Sequence, residues 1–547
     1  MAPMKDDSAF APFRHATFRE LWLGTTVSNT GSLIQGVAAA WTMTAISTAD
    51  HVALVQTASF LPVALLALPA GALADIHDRR KVQMAALTLS LVGAALMTLV
   101  SLLGMITPWV LLGFCFLVGC GGALAAPARG ASVAEQVPKQ LVPQAVGLNN
   151  ISYNLARSVG PAVGGLIVAA VGATAAFAAN VFSYIPMLVS LQRWKRPAEV
   201  SRLPPEGLLR SISIGVRYVA HMQPVRRTIG RSFTVCLMGA ALLSLMPLIA
   251  RDLLGGTARS YGLLLGCFGI GAVSGIFVLH PLRARLGNEN TVRLCCLVQA
   301  LCLAVLSLSR STALDIAVLL PAGMAWMVLT TTLGVAVQLS VPRWVAGRAI
   351  AMSSAATSLG VAVGAWLWGL MAKETGVAEV LLWAAAGMAL SPLMGMFLRV
   401  AEGTASPEPD DRPMADPEVR LGIGGSSGPV SIELQYRVPQ RSAEDFYGLM
   451  REIQLSRTRN GAYDWSLSRN IADPELWSER FTCPTWDDYL RLRGRRTLED
   501  SRLQQRALQM HVGLEPIKVQ RWLDRPSASL QWREERADSS GAMGQPM

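Results

Sequence analysis

Long apolar stretches recur along the first 400 residues of this 547-residue chain, and they constrain its fold more than any other feature. A helix needs about 20 mostly apolar residues to cross the roughly 30 Å hydrocarbon core of a bilayer. Twelve stretches meet this requirement, at residues 21–45, 52–74, 82–103, 108–127, 144–171, 173–192, 229–250, 259–281, 291–309, 313–338, 348–371 and 377–399. The pattern predicts an all-α membrane protein with twelve transmembrane helices.

The Lys and Arg residues between these stretches are distributed unevenly. If the N-terminus is cytoplasmic, that side receives the run 79–81 and the basic segment 193–231, whereas few basic residues fall in the outer loops. Basic residues favour cytoplasmic loops, so both termini are predicted to be cytoplasmic. A cleaved signal peptide is the alternative for the first stretch, but its apolar run is too long and eleven more follow.

An internal repeat divides the apolar region. Residues 137–160 align with residues 341–364 at a constant offset of 204, which pairs Gly160 with Gly364. Transporters are commonly built from such repeats. The repeat predicts two six-helix halves, residues 1–192 and 229–400, joined by a cytoplasmic linker at 193–228 that contains an amphipathic helix.

The composition changes abruptly after residue 400. Residues 401–429 are rich in Pro, Gly, Asp and Ser, which is typical of a flexible linker. Residues 430–525 then follow a strand, helix, strand, strand, helix order, which predicts a small α+β ferredoxin-like cytoplasmic domain. Residues 526–547 are predicted to be a disordered tail.

The fifth apolar stretch carries polar residues that membrane spans usually lack. On a helical wheel Asn150, Asn154 and Arg157 share one face with several glycines, while Leu148, Leu155, Val159 and Leu166 lie opposite and are expected to meet lipid. An ionisable residue within a span is by default a functional-site hypothesis, but Arg157 could equally pair with backbone carbonyls and hold two helices together. Pro161 removes a backbone donor and is expected to bend this helix.

Other polar residues face inward at mid-membrane. The predicted substrate or coupling residues are Arg157, Asn150, Asn154, Asn29, Gln35, Trp41 and Glu135, with Thr357 and Ser358 on the repeat-related eleventh stretch. Trp326, Trp366 and Trp368 are expected either to line an aromatic cavity or to anchor the chain at the membrane interface. Acidic residues near the spans are confined to their ends: Asp50, Asp252 and Asp315 on the outer side and Glu135 on the inner side.

The loop GALADIHDRRK, residues 71–81, combines a glycine with charges of both signs. Gly71 is expected to allow a tight cytoplasmic turn, and Asp75 to cap or pair at a helix end. Arg79 and Arg80 would supply partners for ion pairs that form and break as the halves move. A loop that is basic only because it faces the cytoplasm is the alternative, but it would explain neither Gly71 nor Asp75.

These residues carry a family resemblance. Gly71, Asp75, Arg79 and Arg80 are similar to the loop motif of the major facilitator superfamily, although Ile76 stands where a basic residue is expected. The set Gly147, Ala156, Gly160, Pro161, Gly164 and Gly165 resembles the fifth-helix motif of its proton-coupled exporters, with Ala156 in place of a glycine. Residues 10–400 resemble more closely the transmembrane secretion effector branch, which includes enterobactin-type siderophore exporters. The tail resembles an antibiotic-biosynthesis-monooxygenase-like domain.

The resemblance implies a secondary transporter that exports small siderophore-like or drug-like organic molecules by proton antiport and alternating access. Its expected partners are the substrate, protons and the lipid bilayer, with a homodimer through the C-terminal domain as an open question. No enzymatic activity, cofactor, metal or nucleic acid is expected; no Gly-Lys dipeptide occurs, which excludes a Walker A loop. Two alternatives stay open: metal-ion efflux, and a tail domain that is catalytically active.

Overall fold

The computed structural model describes residues 10–195, 208–402, 410 and 417–524 of the chain. These residues are mostly helical, with a small sheet near the C-terminal end. The chain divides into two compact units: Met1–Ser213, Pro224–Gln338 and Gly347–Gly403 form the first, and Ile214–Gln223, Leu339–Ala346 and Thr404–Met547 form the second. The predicted linker at 401–429 is described only in part, and the predicted tail at 526–547 lies outside the described residues.

The helices before and after the linker follow the apolar stretches of the sequence. The earlier ones are α1 (Ala16–Ile46), α2 (Ala49–Ile76), α3 (Arg79–Leu102), α4 (Pro108–Ser132), α5 (Val142–Val171) and α6 (Ala173–Arg193). The later ones are α7 (Leu208–His221), α8 (Gln223–Leu248), α9 (Ala258–Leu308), α10 (Thr312–Leu339), α11 (Arg343–Thr375) and α12 (Val377–Met394).

Ten of the described helices are long and apolar enough to cross a membrane: α2 to α6 and α8 to α12. Two helices, α1 and α9, account for the difference between these ten helices and the predicted twelve. Helix α1 has 31 residues but is not among the ten. Helix α9 has 51 residues and is interrupted at Gly287, whose backbone is non-helical at φ 74° and ψ 175°. The predicted helical membrane architecture is confirmed, while the number twelve stays a prediction.

The turn between α2 and α3 differs from the sequence-based expectation. Gly71 lies inside α2, and a Cβ at this position would meet open space, so the turn does not depend on it. The chain turns instead at His77 and Asp78. The Asp78 carboxylate accepts hydrogen bonds from the backbone N–H of Arg80 (2.8 Å) and of Lys81 (3.4 Å), which caps the start of α3.

The apolar face of α5 is divided between lipid and protein. Leu155, Val159 and Leu166 are about half exposed, as expected for side chains that meet lipid. Leu148 is buried, which corrects the prediction that it belongs to that exposed face. It packs in a cluster with Phe18 of α1, and its carbonyl accepts a hydrogen bond from Trp22 Nε1 at 2.9 Å.

The second unit contains the C-terminal domain. Its elements are β1 (Val430–Arg437), α13 (Ala443–Arg459), β2 (Tyr463–Arg469), β3 (Leu476–Cys483), α14 (Trp486–Gly494), α15 (Leu498–Gln509) and β4 (Lys518–Leu523). The strands pair antiparallel in the order β2-β3-β1-β4. This order is compatible with the predicted ferredoxin-like domain. Helix α15 and strand β4 were not predicted, although Thr497 and Asp500 form a capping box at the start of α15.

The end of α7 belongs to the same unit as this domain. Tyr218 and Val219 are buried, and the Arg459 guanidinium of α13 contacts Met222 with an Nη1 to Sδ distance of 3.7 Å. The predicted amphipathic helix therefore exists, and part of its apolar surface is covered by protein.

Candidate functional site

A cavity of about 910 Å³ lies among the helices of the first unit. Side chains of α1 to α6 and Ser354 of α11 line it. Its polar lining consists of Thr25, Ser28, Asn29, Ser32, Gln35, Ser59, Ser90, Arg129, Asn149, Asn150, Tyr153, Tyr184 and Ser354. The volume lies near the upper end of the roughly 300–1,000 Å³ that is usual for ligand pockets.

Arg129 is the charged residue of this cavity among the described lining residues, none of which is acidic. Its Nη1 donates a hydrogen bond to Asn29 Oδ1 at 3.2 Å. Its Nε is buried and has no hydrogen-bond partner in the described part of the chain. The guanidinium therefore keeps donor capacity that a ligand oxygen can use.

Sequence reasoning treated Arg129 only as a basic residue of a cytoplasmic loop. The structure places it inside α4, within a helical segment apolar enough to cross a membrane. The position of Arg129 at the end of an apolar stretch could have identified it from the sequence, because a charge inside an apolar helix is costly unless it serves a function or finds a partner.

One wall of the cavity is a buried hydrogen-bonded cluster between α1 and α6. Asn180 Nδ2 donates to Gln35 Oε1. The hydroxyls of Ser32 and Tyr184 lie 3.2 Å apart, and Tyr184 also lies 3.5 Å from Asn180 Nδ2. Because buried polar groups are costly when unpaired, these bonds fix the orientation of the polar groups that face the cavity.

The structure brings together some of the predicted substrate residues and separates others. Asn29, Gln35 and Asn150 line the cavity. Asn154 is not among the lining residues; its Nδ2 donates to the carbonyl of Asn150, 2.8 Å away on the same helix. Trp41 stacks on a ring of α9, with 6.2 Å between ring centroids.

Arg157 points towards α9 and not into this cavity. Its guanidinium lies 5.6 Å from the ring centroid of Phe268, within cation–π range. The residue is partly exposed and is absent from the lining of both described cavities of the first unit.

A second cavity of about 370 Å³ adjoins the first, and the two share Val63 and Ser354. Thr357 and Ser358, the predicted contacts on the eleventh stretch, line this second cavity. The three tryptophans line neither cavity. Trp326 and Trp368 are buried, and Trp366 is 46% exposed on the outside of α11.

Arg79 of the predicted loop motif contacts Glu135, a predicted coupling residue, where α3 begins. Arg79 Nη1 forms an ion pair with Glu135 Oε1 at 2.7 Å and donates to the carbonyl of Ala131 at 3.1 Å. Arg80 donates to the carbonyl of Gln192 at the end of α6, at 2.8 Å. The side chain of Asp75 lies outside the described residues. The loop motif thus ties α3 to α4 and α6.

The glycines of the fifth-helix motif allow close packing on two sides of α5. A Cβ on Gly164 would lie 3.1 Å from the Cα of Ile34 in α1. On Gly165 it would lie 2.7 Å from the Cα of Gly262 in α9, closer than real Cβ contacts come. Gly160 also approaches α1, whereas a Cβ on Gly147 would meet open space. Most of the motif glycines therefore allow α5 to pack closely against both α1 and α9.

Polar contacts join the halves at the end of the bundle where α1 ends. Asp50 of α2 and Lys373 of α11 form an ion pair at 3.4 Å. Thr57 Oγ1 donates to the carbonyl of Ala362 at 2.8 Å, and Arg251 donates to the carbonyl of Thr44. The larger cavity extends towards the opposite end, where α4 ends and α5 begins.

No group of three or more His, Cys, Asp or Glu side chains that could hold a metal ion occurs in the described ranges. The eight cysteines are free thiols, seven of them buried.

Comparison with known proteins identifies relatives of this chain. The transmembrane secretion effector family matches residues 7–528. The staphyloferrin A transporter of Staphylococcus aureus (strain NCTC 8325 / PS 47) is 26% identical over 254 residues, which cover 45% of this chain and 62% of that protein. The macrolide efflux protein A of Streptococcus pyogenes is 24% identical over 277 residues, covering 46% of this chain and 66% of that protein. The matches thus span just under two thirds of both relatives.

A solved structure of a nucleoside transporter, NupG, has a similar fold. It aligns with a TM-score of 0.59 at 12% identity and covers 70% of this chain and 100% of that chain. At this identity the likeness concerns the fold alone.

Proposed function

Since the chain belongs to the transmembrane secretion effector family of the major facilitator superfamily, we propose that it is a secondary transporter that exports small organic molecules across the bacterial cytoplasmic membrane. The cavity of about 910 Å³ within the helical unit is the observation that carries this proposal. The names of the two relatives support siderophore-like or drug-like substrates. The twelve spans of this transporter are α1, the ten apolar helices and the second span obtained when α9 is divided at Gly287.

The lining of the cavity defines the substrate chemistry. Arg129 supplies a positive charge with a free donor, and the asparagines and hydroxyls supply neutral hydrogen bonds. Leu33, Val63 and Val118 add apolar surface. The substrate is therefore a molecule with an apolar body and at least one anionic or strongly accepting oxygen, because a cation would face Arg129 without a described carboxylate to offset it.

The cavity at one end of the bundle and the contacts at the other support alternating access. The end where α1 begins is cytoplasmic, and the cavity extends towards it. At the outer end, the ion pair of Asp50 with Lys373 and the hydrogen bond from Thr57 to Ala362 join the halves. These contacts separate when the halves rock, and the close packing at Gly165 and α9 serves as the pivot.

Proton antiport completes the proposal. We propose Asp50, Glu135 and Asp315 as candidates for the coupling group, because each is a carboxylate at the end of a described span with a largely buried side chain, whereas arginine does not release its proton in proteins. Exchange of the substrate for protons would require one of these carboxylates to bind a proton in one conformation and release it in the other.

Everted membrane vesicles test the transport proposal. Vesicles from cells that express the chain, energised to an acidic lumen, are given radiolabelled carboxylate siderophores, macrolides and neutral analogues. Accumulation that depends on the protein, with proton release that a protonophore abolishes, is the expected result. If none of these compounds accumulates while the protein is correctly inserted and purifies as a folded species, the proposed substrate class is wrong.

Variants separate substrate binding from proton coupling. Asp50→Asn, Glu135→Gln and Asp315→Asn are each assayed for downhill substrate efflux and for uphill accumulation. Loss of uphill accumulation alone is expected for the coupling residue. Unchanged uphill accumulation in all three would contradict coupling through these carboxylates.

A further inference from the structure

The C-terminal domain contains a cavity of its own, with a volume of about 330 Å³. Ile432, Leu434 and Tyr436 alternate along β1 and therefore point to the same face of the sheet, where they form its floor. Side chains of α14 and α15, among them Leu492 and Leu508, cover the other side. The cavity is thus an apolar slot between the sheet and the helices, at the small end of the roughly 300–1,000 Å³ range of ligand pockets.

The slot is unusually rich in arginine. Its lining includes Arg457, Arg493, Arg496 and Arg521, whereas none of the described lining residues is acidic. An apolar cavity that gathers four positive charges is costly for the fold unless the charges have partners, so the partners of each guanidinium determine what the cavity can bind.

One arginine is neutralised within the domain. Arg457 forms an ion pair with the fully buried Glu479 at 3.1 Å. The same carboxylate accepts hydrogen bonds from Tyr436 and Trp465, each at 3.1 Å. Burial and the charge of Glu479 raise the pKa of Tyr436, so its phenol stays protonated. The charge of Arg457 is therefore already paired with Glu479 and is not available to a ligand.

Two other arginines keep donor capacity for a ligand. Arg496 donates to Gln504 Oε1 at 2.6 Å, but its Nε is buried without a hydrogen-bond partner among the residues described. Its nearest carboxylate, Asp410, lies 3.9 Å away. Arg521 donates to the hydroxyl of Tyr489 at 2.8 Å, and the described residues provide it with no carboxylate partner.

The ring of Tyr489 contacts two of the four guanidinium groups. The guanidinium carbons of Arg521 and Arg493 lie 5.6 Å and 5.9 Å from the ring centroid of Tyr489. These cation–π contacts hold both side chains in place, so little conformational entropy is lost when they bind an anion. Tyr489 also lines the slot, so its ring adds to the apolar surface there.

From this geometry we propose that the slot, named here the arginine slot, binds a small anionic molecule with a planar or apolar body. The carboxylate or similar anionic group is held by Arg496 and Arg521, and the body packs between the β1 side chains and Tyr489. The exporter thus carries a cytoplasmic ligand-binding domain separate from its transport cavity.

Calorimetric titration of the full-length protein in detergent tests this site with 2-naphthoate and its neutral isostere 2-naphthamide. Binding of 2-naphthoate at least about tenfold tighter than that of 2-naphthamide is expected, since a hydrogen bond to a charged group is stronger than one to a neutral group. Arg521→Gln and, independently, Arg496→Gln are each expected to weaken 2-naphthoate binding by about tenfold or more.

Two matched variants locate the binding. Arg469→Gln removes an arginine that also stacks on an aromatic ring of the same sheet, 5.0 Å from Trp477, but lies outside the slot, and it should bind like the wild type. Arg129→Gln should likewise retain binding, which excludes the transport cavity as the source of the heat. Equal affinity for the two naphthalene compounds, no measurable binding of 2-naphthoate, or loss of binding only in Arg129→Gln would each overturn the proposal.

Discussion

Replacement of Arg129 by glutamine is the sharpest test of the transport cavity. The guanidinium makes one described side-chain contact, the 3.2 Å hydrogen bond to Asn29, and both residues face the cavity. Water in the cavity can replace that bond in the variant, so insertion and folding should be preserved. The bound substrate, in contrast, loses a hydrogen bond to a charged donor, worth about 1.5–3 kcal/mol. This corresponds to a rise in KM on the order of 10- to 150-fold for an anionic substrate.

Initial rates in everted vesicles measure this effect. A carboxylate substrate and its carboxamide analogue are compared over a range of concentrations, with the amount of inserted protein matched between samples. Arg259→Gln is the matched control, because Arg259 is exposed at the start of α9 and lies outside the cavity. The reasoning is refuted if Arg129→Gln leaves the KM of the carboxylate unchanged, or raises the KM of both compounds equally.

Three further outcomes follow from single contacts. Lys373→Gln removes the partly exposed ion pair to Asp50, worth about 0–1 kcal/mol, and should raise the outward-open population by at most about fivefold, measured by labelling of a cysteine introduced beside this pair. Gly165→Leu forces a side chain against α9, where a Cβ already lies 2.7 Å from neighbouring atoms; a loss of about 1–3 kcal/mol in stability should appear as a lower Tm in detergent. Burial raises the pKa of Asp500, but the charge of Arg459 and several hydrogen bonds outweigh it and hold this pKa below the usual range. The stabilisation is therefore present above the unfolded pKa of about 3.9 and lost as pH falls through the lower folded value, so the Tm difference between wild type and Asp500→Asn should shrink below about pH 4.

Hydropathy alone predicted the membrane helices because the bilayer imposes one simple requirement on every span. The two ambiguous cases have local causes. Helix α1 carries several polar residues, such as Asn29 and Gln35, that face the cavity and reduce its mean hydropathy. Helix α9 continues past its first span because Gly287 redirects the chain with little interruption of hydrogen bonding.

The glycines of α5 were informative in the sequence for a similar reason. Close helix packing requires small residues, so the spacing of Gly160, Gly164 and Gly165 predicted an approach whatever the neighbour. The identity of that neighbour was not predictable, since two faces of α5 meet different helices. Strand β4 was missed because most of its residues are exposed, and pairing with β1 rather than an apolar pattern defines it.

Arg157 and Arg129, two arginines within the spans, show where prediction from the sequence ends. Helical geometry placed Arg157 on a polar face, and this placement alone made it the leading candidate for substrate contact. In the fold, the neighbour of that face is Phe268, whose ring already interacts with the guanidinium. Arg129 lies on α4, which has no comparable polar face. Its side chain nevertheless faces the cavity and donates a hydrogen bond to Asn29. The free energy available for binding an anion depends on the donors that remain unpaired, and that quantity is set by tertiary contacts. We therefore expect the KM for substrate to depend on Arg129, and a defect in Arg157→Ala, if one is measured, should affect the movement of the halves and leave the KM for substrate unchanged.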